Sequence, residues 1–383
     1  MSSWERGFEI VEEHIVDKKK VFVCGGGHQG LSMAAHLALN GISVTMWNRT
    51  PGNIQEVIDT NAIFCNGIVN GVAYIEQASS NVEDVVSDFV MVTTPSSAHK
   101  DVAKRLAPYV HKDMVIILNP GRTFGAIEFA TTLLECGVKE LPHIAETQTI
   151  VYTCRRSAKN RTTIFALKED VAIAALKDSS IEYIMERMPD CIRYHFNPVN
   201  SIAYTSLENV GMVLHCAPVL MNVGWIETPK VDFKYYYDGI SENIAALLEK
   251  IDNERILVSK KLGYIIESTA NWMKRVYGVE GKDLFECIRN NETYKEIDAP
   301  PTIYCRYILE DVPNGLVPIE YVASQLGLET PNITMIINLA CSLLNTDFRE
   351  NGRRFTLEQL SMYFSVNNNP TNGGKSLKQR VCG

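Results

Sequence analysis

A parallel, doubly wound α/β sheet followed by an all-α helical domain is the fold class predicted by this 383-residue sequence. Three observations predict it. Continuous apolar runs at 21–24, 43–47, 89–92 and 114–118 read as strands covered on both faces. Segments of helical spacing at 31–39, 98–106 and 126–134 alternate with them, and that alternation makes βαβ units. Beyond residue 240 the pattern turns helical, with leucines and isoleucines at three- and four-residue intervals over 241–277.

The first strand runs into Gly25-x-Gly27-x-x-Gly30 and then into a helix. Alone this spacing is weak evidence; after a buried strand and before a helix it marks a Rossmann-type dinucleotide-binding turn. The first glycine makes the tight turn, the second admits the pyrophosphate to the backbone, and the third lets helix and strand pack closely. Gly25, Gly27, His28, Gln29 and Gly30 are therefore expected at the cofactor, with the pyrophosphate on the helix N-terminus. At the end of the second strand an NAD enzyme usually carries an acid for the ribose 2′-hydroxyl. Here stand Asn48, Arg49 and Thr50, so the expectation is NADP(H), with a guanidinium for the 2′-phosphate. The alternative is NAD(H) with Arg49 stacked on the adenine. Thr94 and Pro95 end the third run and are expected near the nicotinamide ribose.

Residues 66–75, with Gly67 and Gly71, predict a small hairpin or loop added to that sheet, and 146–153 and 161–167 predict further strands. Helices are expected over 316–326 and 333–344, with Pro313, Pro318 and Pro331 marking their starts. The domains expected are 1–197, dinucleotide-binding, and 198–364, helical, followed by a mobile tail at 365–383 rich in Asn, Gly, Pro and Lys.

Composition narrows the function classes. The net charge is −8 with pI near 5.6, which argues against nucleic acid or an anionic membrane as partner. Ten cysteines include no CxxC pair, as in a reducing compartment without a structural zinc site. The first twenty residues carry acids and no apolar core, unlike a secretory signal. The apolar stretch 211–226 is too short to span a membrane and contains His215. A cytoplasmic protein is expected.

Several segments resemble the opine dehydrogenases, the octopine/nopaline dehydrogenase family, from about residue 20 to 360. They include the Gly25–Gly30 loop, Asn119-Pro120-Gly121-Arg122-Thr123, and Glu146-Thr-Gln-Thr-Ile-Val-Tyr152-Thr-Cys-Arg155. The match continues through Ser206-Leu-Glu-Asn209 to His215 and Tyr236-Tyr-Asp238-Gly239. Most specific is Arg306-Tyr-Ile-Leu-Glu-Asp311-Val-Pro313-Asn-Gly315-Leu-Val. The resemblance implies a Rossmann domain plus a helical domain, with the active site in the cleft between. It implies an enzyme that joins the amine of an amino acid to a 2-keto acid and reduces the imine with a nicotinamide.

By residue type alone, His215 reads first as a core histidine in an apolar stretch. The resemblance makes it the active-site histidine, although Cys216 and Ala217 intervene before Pro218 where the family often has proline next. The family's acid matches Asp311, expected to fix the tautomer of His215 and to favour its charged form; otherwise Asp311 caps the following helix. Two substrate carboxylates call for cations, and Arg306, Arg155 and Arg122 are the arginines expected to receive them, unless they form surface ion pairs. Asn209, six residues before His215, would lie about 9 Å away along a shared helix and about 120° round it. It is expected at substrate or cofactor, or as a cap. Tyr235, Tyr236, Tyr237 and Trp225 are read as packing before they are read as a side-chain pocket. No metal is expected.

Two other readings share the glycine loop. One is a keto-acid reductase like ketopantoate reductase or glycerol-3-phosphate dehydrogenase, whose proton donor is expected to be a lysine; none lies between Tyr204 and Thr228. The other is a nucleotide-binding protein without catalysis. The amino acid, the keto acid and whether the chain forms a homodimer are left open by the sequence.

Overall fold

The computed structural model describes residues 20–229 and 231–364, so the expected tail and the N-terminal stretch lie outside the described residues. Twelve described strands form two sheets, one of eight strands and one of four. The first six in sequence are β1 (Lys20–Cys24), β2 (Ser43–Trp47), β3 (Ala62–Gly67), β4 (Gly71–Tyr74), β5 (Gln77–Ser79) and β6 (Phe89–Val92). They are followed by β7 (Val115–Leu118), β8 (His143–Thr147), β9 (Tyr152–Ala158), β10 (Arg161–Leu167), β11 (Val171–Ala175) and β12 (Phe196–Pro198). The main sheet has the order β12-β11-β8-β7-β6-β1-β2-β5; its central strands β2, β1, β6, β7 and β8 pair in parallel, and β11 reverses against β8. Every residue of β6 and β7 is buried, as their unbroken apolar runs require.

Helices α1 (His28–Leu39), α2 (His99–Leu106) and α3 (Gly125–Glu135) supply the crossovers. The helical domain follows with α4 (Ile202–Leu207), α5 (Gly211–Met221), α6 (Glu242–Lys261), α7 (Thr269–Tyr277), α8 (Val317–Gln325) and α9 (Pro331–Leu344). The expected boundary at 197/198 falls inside the edge strand β12. No described helix is long and apolar enough to cross a membrane. All nine described cysteines are free thiols.

Three expectations are corrected. Residues 66–75 do not extend the main sheet: β3 and β4 form a hairpin, turned by Gly67 (φ +100°) and Gly71 (φ +150°), in a separate sheet of order β4-β3-β10-β9. The inner face of that sheet buries Ile63, Cys65, Ala73 and Ile164 in one core with Leu31 and Ala34 of α1. The run 146–153 is two strands: the chain leaves the main sheet after Thr147 and enters the small one at Tyr152. Gln148, in the turn between, still donates its backbone amide to the Ala172 carbonyl of β11 at 2.9 Å, while its side-chain amide donates to Glu208 at 2.9 Å. The region 241–277 is two helices, broken where Gly263 takes φ +89° and Ser268 caps α7.

One buried arginine ties the domains together. Arg353, 2% exposed, donates to Glu128 Oε2 (2.8 Å), to the Gly121 and Thr123 carbonyls (both 2.9 Å) and to the Ser96 carbonyl (3.3 Å). Those carbonyls belong to the loops after β7 and β6, so the far end of the chain fixes the backbone at the carboxyl edge of the sheet. That edge is where ligands bind in open α/β sheets.

Candidate active site

The cofactor loop has the geometry its glycines require. Gly25 takes φ +119°, and a Cβ at Gly30 would collide with the Gly25 carbonyl. Gly27, the N-cap of α1, has open space where its Cβ would be. Asn48 accepts from the Gly26 amide at 3.0 Å and so holds the turn itself. A pocket of about 240 Å³ opens there, lined by Gly25, Gly27, Asn48, Arg49, Thr50, Thr94, Pro95 and Arg156 among others. The Thr94 hydroxyl is buried there without a partner among the described residues. Open space at the helix N-terminus and an orphaned hydroxyl both fit a dinucleotide, with the pyrophosphate on the amides of α1.

Arg156 is missing from the expected set. Its guanidinium donates to the Gly26 carbonyl at 2.8 Å and its amide to His28 Nδ1 at 2.8 Å. The signal lay in the Arg155-Arg156 pair on β9, because neighbouring residues of a strand face opposite ways. His28 and Gln29 do not line the pocket. Gln29 Nε2 reaches the Tyr152 carbonyl and Cys154 Sγ, both at 3.3 Å, so these two side chains bind α1 to β9. Burial, then Arg156, Arg155 and Arg306, lowers the His28 pKa. Arg49 has a side chain 61% exposed, 3.5 Å from Asp101 at the pocket rim.

His215 lies on α5 and Asp311 follows the short helix Arg306–Leu309, yet Nδ1 and Oδ2 meet at 2.7 Å. Asp311 is fully buried and does not cap the following helix. One aromatic ring holds the imidazole and a second holds the backbone that carries it. Tyr307 stacks on it with centroids 4.1 Å apart, and Tyr235 Oη donates to the His215 carbonyl at 2.6 Å. Tyr235 also reaches the Leu214 carbonyl, at 3.4 Å, which Pro218 cannot serve for want of an N–H.

Arg122 stands over the dyad, Nε 3.3 Å from Glu310 Oε1 and 3.7 Å from Asp311 Oδ1. It was expected to receive a substrate carboxylate; two carboxylates of the protein already engage it. Its φ is +61° and that of Phe124 is +63°. This conformation is over-determined: Arg353 binds the carbonyls of residues 121 and 123, the Thr123 amide donates to the Asn314 carbonyl (3.2 Å), and the Phe124 amide to Ser206 Oγ (3.0 Å). Asn209 lies not on the helix of His215 but in the break between α4 and α5. It is buried, donating to Thr123 Oγ1 (3.3 Å) and accepting from Arg122 Nη1 (3.4 Å). It braces the Arg122 loop. Arg306 is half exposed beside Glu310 at 3.6 Å, and Arg155 is exposed with no ion pair among the described residues.

Asp311 pulls His215 toward its charged form, as expected of it, but the net shift runs the other way. Burial lowers the His215 pKa, and the charges of Arg122 and Arg306 lower it further; the opposing pull of Asp311 does not win. The resting imidazole is neutral at pH 7. For Asp311 burial works upward, but Arg122 and His215 hold the carboxyl well below its ordinary range. With Nδ1 committed to an ionised Asp311, Nε2 is the nitrogen left to exchange a proton with a substrate.

The cofactor pocket and the dyad are joined through one segment. The Ser96 amide, next to Pro95, donates to Glu310 Oε1 at 3.1 Å, and Asn314 Nδ2 donates to Ser96 Oγ at 3.0 Å. Glu146 is the other buried organiser: it accepts from the Ala126 amide at the start of α3 (2.8 Å) and from Thr205 (2.8 Å) and Ser206 (2.6 Å) on α4. Among the described residues no group of three or more His, Cys, Asp or Glu side chains could hold a metal ion.

Comparison with known proteins agrees with this arrangement. Residues 198–344 match the family model of the NAD/NADP octopine/nopaline dehydrogenase alpha-helical domain, and residues 21–128 match that of ketopantoate reductase PanE/ApbA. Opine dehydrogenase of Arthrobacter sp. (strain 1C) is 33% identical over 91% of this chain and 96% of its own length. Vitopine synthase of Allorhizobium ampelinum is 24% identical over 87% of this chain and 93% of its own. Among solved structures, octopine dehydrogenase in complex with NADH and agmatine superposes with TM-score 0.70 at 18% identity, covering 85% of this chain and 89% of that one. Yersinopine dehydrogenase with NADP+ bound gives TM-score 0.70 at 12% identity, covering 88% and 93%.

Proposed function

The chain belongs to the opine dehydrogenase family, and from that premise we propose that it catalyses the NAD(P)H-dependent reductive condensation of an amino acid with a 2-keto acid, and the reverse oxidation, with His215 and Asp311 as the acid/base pair. The observation that carries the reading is the 2.7 Å contact between His215 and a fully buried Asp311, one segment away from the cofactor pocket.

A neutral His215 suits this chemistry. An amino acid arrives as an ammonium, and Nε2 takes one proton to free the amine for attack on the keto carbon. The imidazolium so formed is stabilised by Asp311 and returns the proton to the oxygen that leaves as water. Ammonium and ketone thus become iminium and water with no net proton consumed. The bound nicotinamide supplies the hydride that reduces the iminium to a secondary amine. Gly25, Gly27, Gly30, Arg156 and Thr94 would hold that cofactor, while Arg122 keeps Asp311 ionised.

The cofactor proposed is NADP(H), because the pocket rim offers Arg49 where an acid would otherwise meet the ribose. The KM for NADPH should be well below that for NADH, and a strong preference for NADH overturns this assignment. The reaction is tested by NADPH oxidation with keto acid alone, amino acid alone, and both. Turnover only with both is expected. Turnover with keto acid alone makes the chain a ketone reductase, and turnover with no pair removes catalysis from the reading.

A further inference from the structure

Lys168, just after β10, sends its ammonium back over the turn between β8 and β9. Nζ donates to the Ile150 carbonyl at 3.2 Å and to Thr149 Oγ1 at 3.4 Å, both neutral acceptors. Among the described residues it has no carboxylate within ion-pair distance. That turn leaves β8 at the carboxyl edge of the main sheet, where β8 runs beside β7 and the Gly121 amide, next to Arg122, donates to the Thr147 carbonyl at 3.3 Å. Lys168 therefore lies over the carboxyl edge of the sheet, beside the loop that carries Arg122.

Its neighbours are differently placed. Arg122 is engaged by Glu310 and Asp311, and Arg306 lies beside Glu310. Lys168, half-buried, has no counter-ion of its own among the described residues. An ammonium withdrawn from water without an anion is unfavourable, and burial with the two arginines lowers its pKa to about 8. Such a cation is completed by an anion that comes with a ligand. We infer that Lys168 receives an α-carboxylate of the substrates, anchoring it between the hydride donor and His215. The inference rests on the proposed reaction for the identity of the anion, and it adds a residue that the arginine-based expectation overlooked.

The test uses iminodiacetate, the smallest secondary amine with two carboxylates, and pyruvate as probes, titrated into the NADPH-loaded full chain by calorimetry. Lys168→Met should weaken iminodiacetate about tenfold to a hundredfold, the loss of one hydrogen bond between charged groups. Lys168→Arg should stay within about threefold of wild type, and both variants should keep NADPH affinity and thermal midpoint. Weaker pyruvate binding in Lys168→Met assigns the keto-acid end; unchanged pyruvate binding assigns the amino-acid end. Should Lys168→Met fail to fold, Lys168→Gln is read in its place. Iminodiacetate that binds wild type and variant equally, or binds neither, overturns the inference, as does a parallel loss of NADPH affinity. Turnover of amino acid plus keto acid by the wild-type chain is read separately, so failure of the proposed reaction is distinguishable from failure of Lys168.

Discussion

Replacing Asp311 by Asn removes one charge from the dyad and changes almost nothing in shape. Asp311 Oδ2 lies 2.7 Å from His215 Nδ1, so the charge centres of an imidazolium and this carboxylate would be about 4 Å apart. At an effective dielectric near 20 their attraction is about 4 kcal/mol. The neutral imidazole of the resting site does not experience that attraction, so nearly all of it bears on the protonated form that catalysis passes through. Arg122, 3.7 Å from Asp311, adds to the loss, because its charge is then countered by Glu310 alone and repels the imidazolium. The Asn amide can also donate to Nδ1, which moves the imidazole proton to Nε2 and leaves no base facing the substrate. Together these predict a fall in kcat of about 10²–10⁴. The cofactor pocket is lined by other residues, so NADPH affinity should stay within about threefold. The assay is steady-state NADPH oxidation with a productive substrate pair, beside a fluorescence titration of NADPH. A kcat within about threefold of wild type would refute the charge argument.

Three further outcomes are expected. In the oxidative direction His215 must start neutral, and burial puts its pKa below 6.5; kcat/KM should rise with pH, level off with a midpoint under 6.5, and lose that inflection in His215→Gln, whereas a midpoint above 7 contradicts the assignment. Gly27→Ala places a methyl where no atom lies within 4 Å, on backbone that alanine adopts freely, so the thermal midpoint should hold while NADPH affinity falls at least about tenfold; equal affinity would move the pyrophosphate elsewhere. Glu208 is pushed up to about 7 by burial and by Glu267, so its ionisation costs stability as pH rises from about 4.5 through 7. Glu208→Gln, whose amide oxygen can still accept from Gln148, should raise the melting temperature at pH 8 and leave it nearly unchanged at pH 4.5; no gain at pH 8 contradicts the shift.

What could be read from the sequence follows from how local each signal is. Four strands of the main sheet, β1, β2, β6 and β7, carried their own evidence, because a strand buried on both faces is apolar throughout. The glycine loop was equally legible, since steric demand at residues 25 and 30 admits almost nothing else. The small sheet was not, because its pairing of β3 with β10 joins residues about a hundred positions apart and leaves one face exposed. The dyad became visible through resemblance and not through pattern: His215 sits in an apolar helix like any core residue, and only the fold brings Asp311 to it. The roles of Arg122 and Asn209 could not be read at all. An arginine in a sequence does not show whether its partner is a substrate or, as here, Glu310. Lys168 was overlooked for the converse reason, since only the fold shows it to be without an anion.

Isotope transfer shows whether hydride reaches a carbon just joined to nitrogen or the carbon of a free ketone. With NADPH doubly deuterated at the reactive ring carbon, an amino acid and a 2-keto acid, mass spectrometry should find one deuterium in a secondary amine that carries both carbon skeletons, bonded to the carbon that was the keto carbon. Deuterium found instead in a 2-hydroxy acid, formed whether or not the amino acid is present, would contradict the account.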